Sequence, residues 1–196
     1  MKQTIRQQAG NPAGLLGRLF GWTMNVFNRA DNRWTIDLLN LQPTDKLLEV
    51  GFGAGQAIEY AAEKITHGQI VGVDHSQTML ETAAKRNAAA IAEGRVKLQL
   101  GEVEALPFPD HSFDKACSIN CIYFWEPPER GFAELRRVLK PGGTLAIVAR
   151  HKQLDTHRPY TPEVICALLK EAGFSQVASQ AGPAHRFSVF CVTGLA

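Results

Sequence analysis

The 196 residues suffice for one α/β domain with a sizeable core, and 45% hydrophobic with 20% charged is an ordinary globular balance. A formal net charge of +2 is too small to argue for a polyelectrolyte partner, so nucleic-acid binding is not expected. No run approaches a membrane span, and the four cysteines, Cys117, Cys121, Cys166 and Cys191, lack the paired spacing of a zinc site, so neither stable membrane insertion nor a metal is expected. Scattered single cysteines suit a reducing cytoplasm.

Residues 1 to 30 carry Lys2, Arg6, Arg18 and Arg29 and no acid, a composition that also suits a transit peptide or an interfacial helix. Pro12 sits where a helix can start, and Leu15, Leu16, Leu19, Phe20, Thr23 and Phe27 recur at helical spacing. One reading is an extra helix packed on the domain. The sharper one is a lid, with Trp22 or Asn25 touching substrate. A second short helix is expected from Asn32 to Leu41, burying Trp34, Leu38 and Leu39 and stopping at Pro43. The organisation expected is a helical lid over 1–34 and a ligand-binding domain over 35–196.

The stretch D-K-L-L-E-V-G-F-G-A-G-Q, Asp45 to Gln56, begins as a buried parallel strand and ends as the first turn of a helix. Gly51, Gly53 and Gly55 offer no side chain to a core; they suit a sharp turn with a ligand lying against backbone. Gln69 to Val73 forms a second strand ended by Asp74, 19 positions after Gly55, where a carboxylate can accept from ribose hydroxyls. Asp74 could instead only cap the helix that starts near Ser76. The third-glycine position of a dinucleotide fingerprint is Gln56, and no Walker lysine follows, so the loop suits a nucleoside without phosphates.

L-L-E-V-G-F-G-A-G resembles motif I of the class I S-adenosylmethionine-dependent methyltransferases. The resemblance extends over about residues 35 to 193 and implies S-adenosylmethionine as cofactor and S-adenosylhomocysteine as product. Glu49 then anchors the methionyl amino group; Gly51, Phe52, Gly53 and Gly55 form the loop; Asp74 and His75 lie at the ribose. H-S-Q-T-M-L after Asp74 resembles the segment lining the adenine ring, which includes Met79, although a methionine there is as readily core. G-E-V-E-A-L-P-F-P-D resembles the segment after the third strand, with Glu102 where aspartate is usual and Val103 at the adenine edge. A solvated turn is the other reading of Glu102.

The later chain fits the same architecture. Val96 to Leu100 alternates as a third strand, and Phe113 to Asn120 is the fourth. Asn120 matches the family position facing the reacting end of the cofactor. Tyr123, Phe124 and Trp125 cannot all face one side of a short connection, so at least one faces the open end of the pocket, and Tyr123 and Trp125 are candidate substrate contacts. Helices are expected from Ser76 to Glu93, Glu129 to Leu139 and Glu163 to Ala172. Lys140-Pro141-Gly142-Gly143 reads as a turn before a fifth strand, Thr144 to Ala149. Two final strands, Phe174 to Ser179 and Arg186 to Thr193, are joined by Gly182-Pro183, which makes the last one antiparallel. The fold class is therefore α/β: a Rossmann-like doubly wound sheet of seven strands, mostly parallel with an antiparallel last strand, plus N-terminal helices.

The function implied is methyl transfer to a small-molecule acceptor by in-line displacement, in a monomer or homodimer, with the acceptor atom (O, N or C) left open. No residue is assigned as catalytic; Tyr123, His151 and His157 are candidates for a base only if the acceptor needs one. Two other readings stand beside it: a non-catalytic module that binds the cofactor, and a nicotinamide-dependent oxidoreductase, against which Gln56 argues.

Overall fold

A computed structural model describes residues 28–150, 159–183 and 188–196. A helix over residues 28–38 (α1) leads into Lys46–Val50 (β1). There follow Gln56–Lys64 (α2), Gln69–Asp74 (β2), Gln77–Arg86 (α3), Ala88–Ala92 (α4) and Val96–Leu100 (β3). The second half contains Phe113–Ile119 (β4), Pro128–Val138 (α5), Leu139–Arg150 (β5), Pro162–Glu171 (α6), Ser175–Ala181 (β6) and Val189–Leu195 (β7).

The strands form one sheet in the order β3-β2-β1-β4-β5-β7-β6. β1 to β5 are parallel; β7 runs antiparallel to both β5 and β6, as the short connection at Gly182-Pro183 requires. From β1 the chain winds outward through β2 and β3, then returns to place β4 on the other side of β1. The reversal leaves a crevice at the carboxyl ends of β1 and β4, where open α/β sheets bind ligands.

Alternation along each strand divides the core. Leu48, Val50, Val71 and Val73 face a cluster with Phe132 and Leu135 of α5 and Ile165 and Leu169 of α6. Leu47, Ile70, Ala146 and Val148 face the other way, against Ile36 of α1 and Leu39 just after it, Ile58 and Ala61 of α2 and Ala83 of α3. Each fully buried Leu, Ile or Phe contributes about 1.5–3 kcal/mol relative to exposure, so both helix layers are firmly held. None of the helices in the described residues is long and apolar enough to cross a membrane, and no group of three metal-ligating side chains occurs among them.

Three expectations need correction. The helix before β1 is already formed at residue 28, the first described, and ends at 38 rather than 41; it ends where Asn40 takes a left-handed φ of 46° and Lys115 Nζ donates to the Leu39 and Asn40 carbonyls (2.8 and 2.7 Å). Its deeply buried residues are Asp31, Thr35, Ile36 and Leu39, while Trp34 and Leu38 are half-buried. The helix expected up to Glu93 breaks at Asn87, whose side-chain amide donates to Ala83 O and across to Gly55 O (2.9 and 3.0 Å). Residues 140–143 are not a separate turn: β5 begins at Leu139 and carries them as an irregularity, its register against β4 shifting between Phe113 and Lys115.

Candidate functional site

The three motif glycines all have positive φ, but they do different work. A Cβ on Gly51 would collide with the Cys121 thiol. One on Gly55 would lie 2.7 Å from Ala83 Cβ and 2.7 Å from Asn87 Nδ2, so this glycine lets α3 pack against the loop. One on Gly53 would meet nothing within 4 Å. Of the three, Gly53 alone turns its bare face to open space.

Beside the loop, at the carboxyl ends of β1 and β2, lies a small open cleft. Gly51, Asp74, His75, Glu102 and Val103 line it together with Cys121, Phe124 and Trp125. Asp74 is almost fully buried. Its Oδ2 accepts from Gly53 N (2.8 Å) and its Oδ1 from Ser76 N (2.9 Å), which ties the glycine loop to the end of β2. Burial outweighs these two amide bonds and holds the Asp74 carboxyl above its ordinary pKa. A carboxylate has about four acceptor sites, so Asp74 keeps capacity for a hydroxyl beside its backbone partners.

Glu49, near the carboxyl end of β1, is 2% exposed, and Oε2 has no hydrogen-bond partner. Desolvation, then the neighbouring Asp74 charge, push it up to about 8. Asn120, with φ 54°, lies just beyond the end of β4; its Nδ2 donates to Asp31 Oδ2 (3.0 Å), and its Oδ1 is buried without a partner. Two buried acceptors at one sheet edge leave a place for a cationic donor group.

Some expected residues lie elsewhere. Met79 and Phe52 are buried in the core cluster on the α2 and α3 side, Phe52 packing over the space a Gly72 side chain would need. Glu102 is exposed at the cleft rim, and Val103 is buried in a short 3-10 turn, Val103–Ala105. Tyr123 turns away from the cleft: its hydroxyl accepts from Arg150 N (2.6 Å), and its ring meets Tyr160 edge-on. Burial raises that phenol to about 12. Phe124 and Trp125 face the cleft, as the argument from the crowded aromatic loop required. Trp22, Asn25, His151 and His157 lie outside the described residues.

Several side chains at the site were not anticipated. Asp31 of α1 is fully buried and pairs with Arg150 Nη2 (3.0 Å) at the end of β5, which also reaches Asn28 Oδ1 (2.5 Å). Asn32 Nδ2 donates to Gln56 Oε1 (3.1 Å) at the start of α2. In the sequence Gln56 stands out only as a missing glycine; its partner on α1 is the reason for a side chain there. On the far side Arg137 holds the loop beyond β3, donating to the Leu106 and Phe108 carbonyls (2.9 and 2.7 Å) and pairing with Glu134 and Asp110.

Residues 48–147 match a family described as a methyltransferase domain. The chain belongs to the methyltransferase domain family. An uncharacterized methyltransferase, YdaC, of Bacillus subtilis (strain 168) is 32% identical over 163 residues, 82% of this chain and 88% of that one. The ubiquinone/menaquinone biosynthesis C-methyltransferase UbiE of Geotalea daltonii is 33% identical over 122 residues, 62% of this chain. The match spans about half (52%) of UbiE's own length. A SAM-dependent methyltransferase from Aquifex aeolicus has the same fold, with a TM-score of 0.73 at 21% identity, covering 87% of this chain and 92% of that one. This methyltransferase uses S-adenosylmethionine, as the glycine motif implied, and the nicotinamide reading is set aside. The site suits that donor: open space over Gly53, lone pairs on Asp74, and two buried acceptors, on Glu49 and Asn120, for an ammonium.

Proposed function

We propose that this methyltransferase acts on a small, planar aromatic or quinone-type acceptor, and that the sites given above divide the work as follows. Asp74, beside His75, accepts from the ribose hydroxyls. Val103 and the rim at Glu102 border the adenine, with Phe52 and Met79 shaping the loop and helix from behind. Glu49 and Asn120 take the methionyl ammonium. The observation that carries the cofactor placement is the pair of buried acceptors without partners, Glu49 Oε2 and Asn120 Oδ1, at the carboxyl edge beside the glycine loop.

When bound, S-adenosylmethionine supplies a sulfonium-activated methyl carbon: the acceptor's electron pair forms the new bond as the carbon–sulfur pair leaves with S-adenosylhomocysteine. The protein's contribution is alignment and exclusion of water. The residues before 35 are assigned to a cover, anchored by Asp31 and Asn32, and Trp22, Asn25 and the aromatic loop that carries Tyr123 and Trp125 are assigned to acceptor recognition. Tyr123, turned away from the cleft, braces the aromatic loop and is not a base, since its phenol is held protonated at neutral pH. The flat acceptor is supported by Phe124 and Trp125 on the cleft wall and by the quinone-pathway name of UbiE. A cytoplasmic monomer or homodimer fits the modest charge and scattered cysteines.

The test is a methyl-transfer assay with labelled S-adenosylmethionine over matched panels of hydroquinones and naphthols, aliphatic amines, and thiols. Turnover confined to the aromatic panel supports the proposal. Turnover confined to amines or thiols overturns the acceptor class. Cofactor binding without turnover on any panel favours a non-catalytic binding module.

A further inference from the structure

A row of polar groups crosses the carboxyl edge of three neighbouring strands. Glu49 follows Leu47 by two on β1 and Arg150 follows Val148 by two on β5, so both project to the face covered by α1. Asn120, at the end of the intervening β4, sends its amide to the same face, where it meets Asp31 of α1. Asp31 is 0% exposed. Burying a carboxylate is costly, and an apolar side chain would fix a helix to a sheet more cheaply.

The chemistry of the pair accounts for that cost. Asp31, ion-paired with Arg150, offers only acceptor oxygens, so the end of the Asn120 amide facing it is the NH₂. The opposite end is therefore the carbonyl Oδ1, which is buried and without a partner in a residue only 7% exposed. Asp31 thereby decides which way a symmetric-looking amide points. With a neutral residue at position 31, the amide is free to flip and present a donor where an acceptor is needed.

We propose that Asp31 is a positioning residue for the amino-acid end of the cofactor: it locks the Asn120 amide so that Oδ1 and Glu49 together accept from the cofactor's ammonium. The inference rests on the cofactor placement proposed above. It also couples α1 to the ligand, because the helix that covers the site sets the polarity of the site's floor. Asn32 anchors the same helix to Gln56 but touches neither acceptor.

Two ligands separate this role from a merely structural one. S-adenosylhomocysteine carries the amino-acid tail; 5′-methylthioadenosine shares the nucleoside but lacks it. By titration calorimetry, Asp31→Asn weakens S-adenosylhomocysteine about tenfold or more, the loss of one charge-assisted hydrogen bond, and leaves methylthioadenosine within about twofold. Asn32→Ala, loosening the helix at its other anchor, moves both ligands by the same factor. The exchanged pair Asp31→Asn with Asn120→Asp restores the preference for the tail. In that pair the amide now on α1 donates to the carboxylate now at the end of β4, whose second oxygen meets the ammonium. If Asp31→Asn does not fold, the exchanged pair decides alone: a retained tail preference supports the role and a lost one overturns it. Equal weakening of both ligands by Asp31→Asn, or no weakening of either, overturns it as well. If the unmodified protein binds the two ligands equally, the placement of the ammonium at Glu49 and Asn120 is wrong, a different failure from that of Asp31.

Discussion

Replacing Gly53 and Gly55 by alanine should separate stability from binding within one loop. Both positions have left-handed φ, 52° and 73°, so either alanine costs about 1–2 kcal/mol for backbone conformation. At Gly55 the new methyl also meets Ala83 Cβ and Asn87 Nδ2 at 2.7 Å and Ala83 Cα at 3.1 Å. Overpacking of that kind adds about 1–3 kcal/mol, for a sum of about 2–5 kcal/mol. In a domain of this size each kcal/mol moves Tm by about 2–4 °C, so Gly55→Ala should fall by roughly 4–20 °C and Gly53→Ala by roughly 2–8 °C. At Gly53 the methyl meets no protein atom and projects into the space assigned to the cofactor. Its affinity for S-adenosylhomocysteine should drop about tenfold or more, equivalent to about 1.4 kcal/mol. Thermal unfolding of the ligand-free variants, paired with calorimetry, reads both effects. Equal losses of Tm, or undiminished affinity in Gly53→Ala, would refute the division of labour among the glycines.

Other outcomes follow from the same contacts. Asp74→Ala removes the acceptor of Gly53 N and Ser76 N and the ribose contact together, so affinity should fall about a hundredfold with a Tm loss of several degrees; a binding curve that does not move would remove Asp74 from the site. Arg137→Gln unties the loop beyond β3 from α5, and proteolysis near Leu106 to Asp110 should quicken while the melting midpoint falls by a few degrees, about 1–2 kcal/mol; a cleavage rate that does not change would remove Arg137 as the tie. Glu49 sets a pH dependence. Its folded value is raised, from 4.5 to about 8, so the native state holds an extra proton between these limits and the ligand-free protein loses stability as pH rises through them. Glu49→Gln should abolish that decline, visible as a flatter plot of Tm against pH; an unchanged slope would assign the decline to other groups.

The sheet was legible because each buried strand announces itself as a branched apolar run and the first two end at a glycine or an acid. Lys46 to Val50 with Gly51, and Gln69 to Val73 with Asp74, place the crevice from local pattern alone. Helix limits were less legible where a tertiary contact sets them. Asn87 breaks the alanine-rich helix because it reaches Gly55 O, and Lys115 from β4 closes α1, contacts that no local pattern carries. The same holds for the polar row over the site. Asp31 and Arg150 are 119 residues apart, and neither stands in a motif; only the return of β5 beside β4 brings them together. Met79 and Phe52 stand close to the motif in sequence, yet their side chains pack into the core cluster on the α2 and α3 side, a placement that local pattern does not carry.

The most direct test of ammonium capture by the buried carboxylate is the proton balance of binding at about pH 7. Glu49, raised to about 8 in the free protein, is mostly protonated there, and a cationic partner draws it into the ionised state. Calorimetric titration of S-adenosylhomocysteine in buffers of different ionisation enthalpy should show release of close to one proton, and almost none in Glu49→Gln. Binding with no proton released by the unmodified protein, or with the same release in the variant, would contradict the placement of the cofactor's amino group at Glu49.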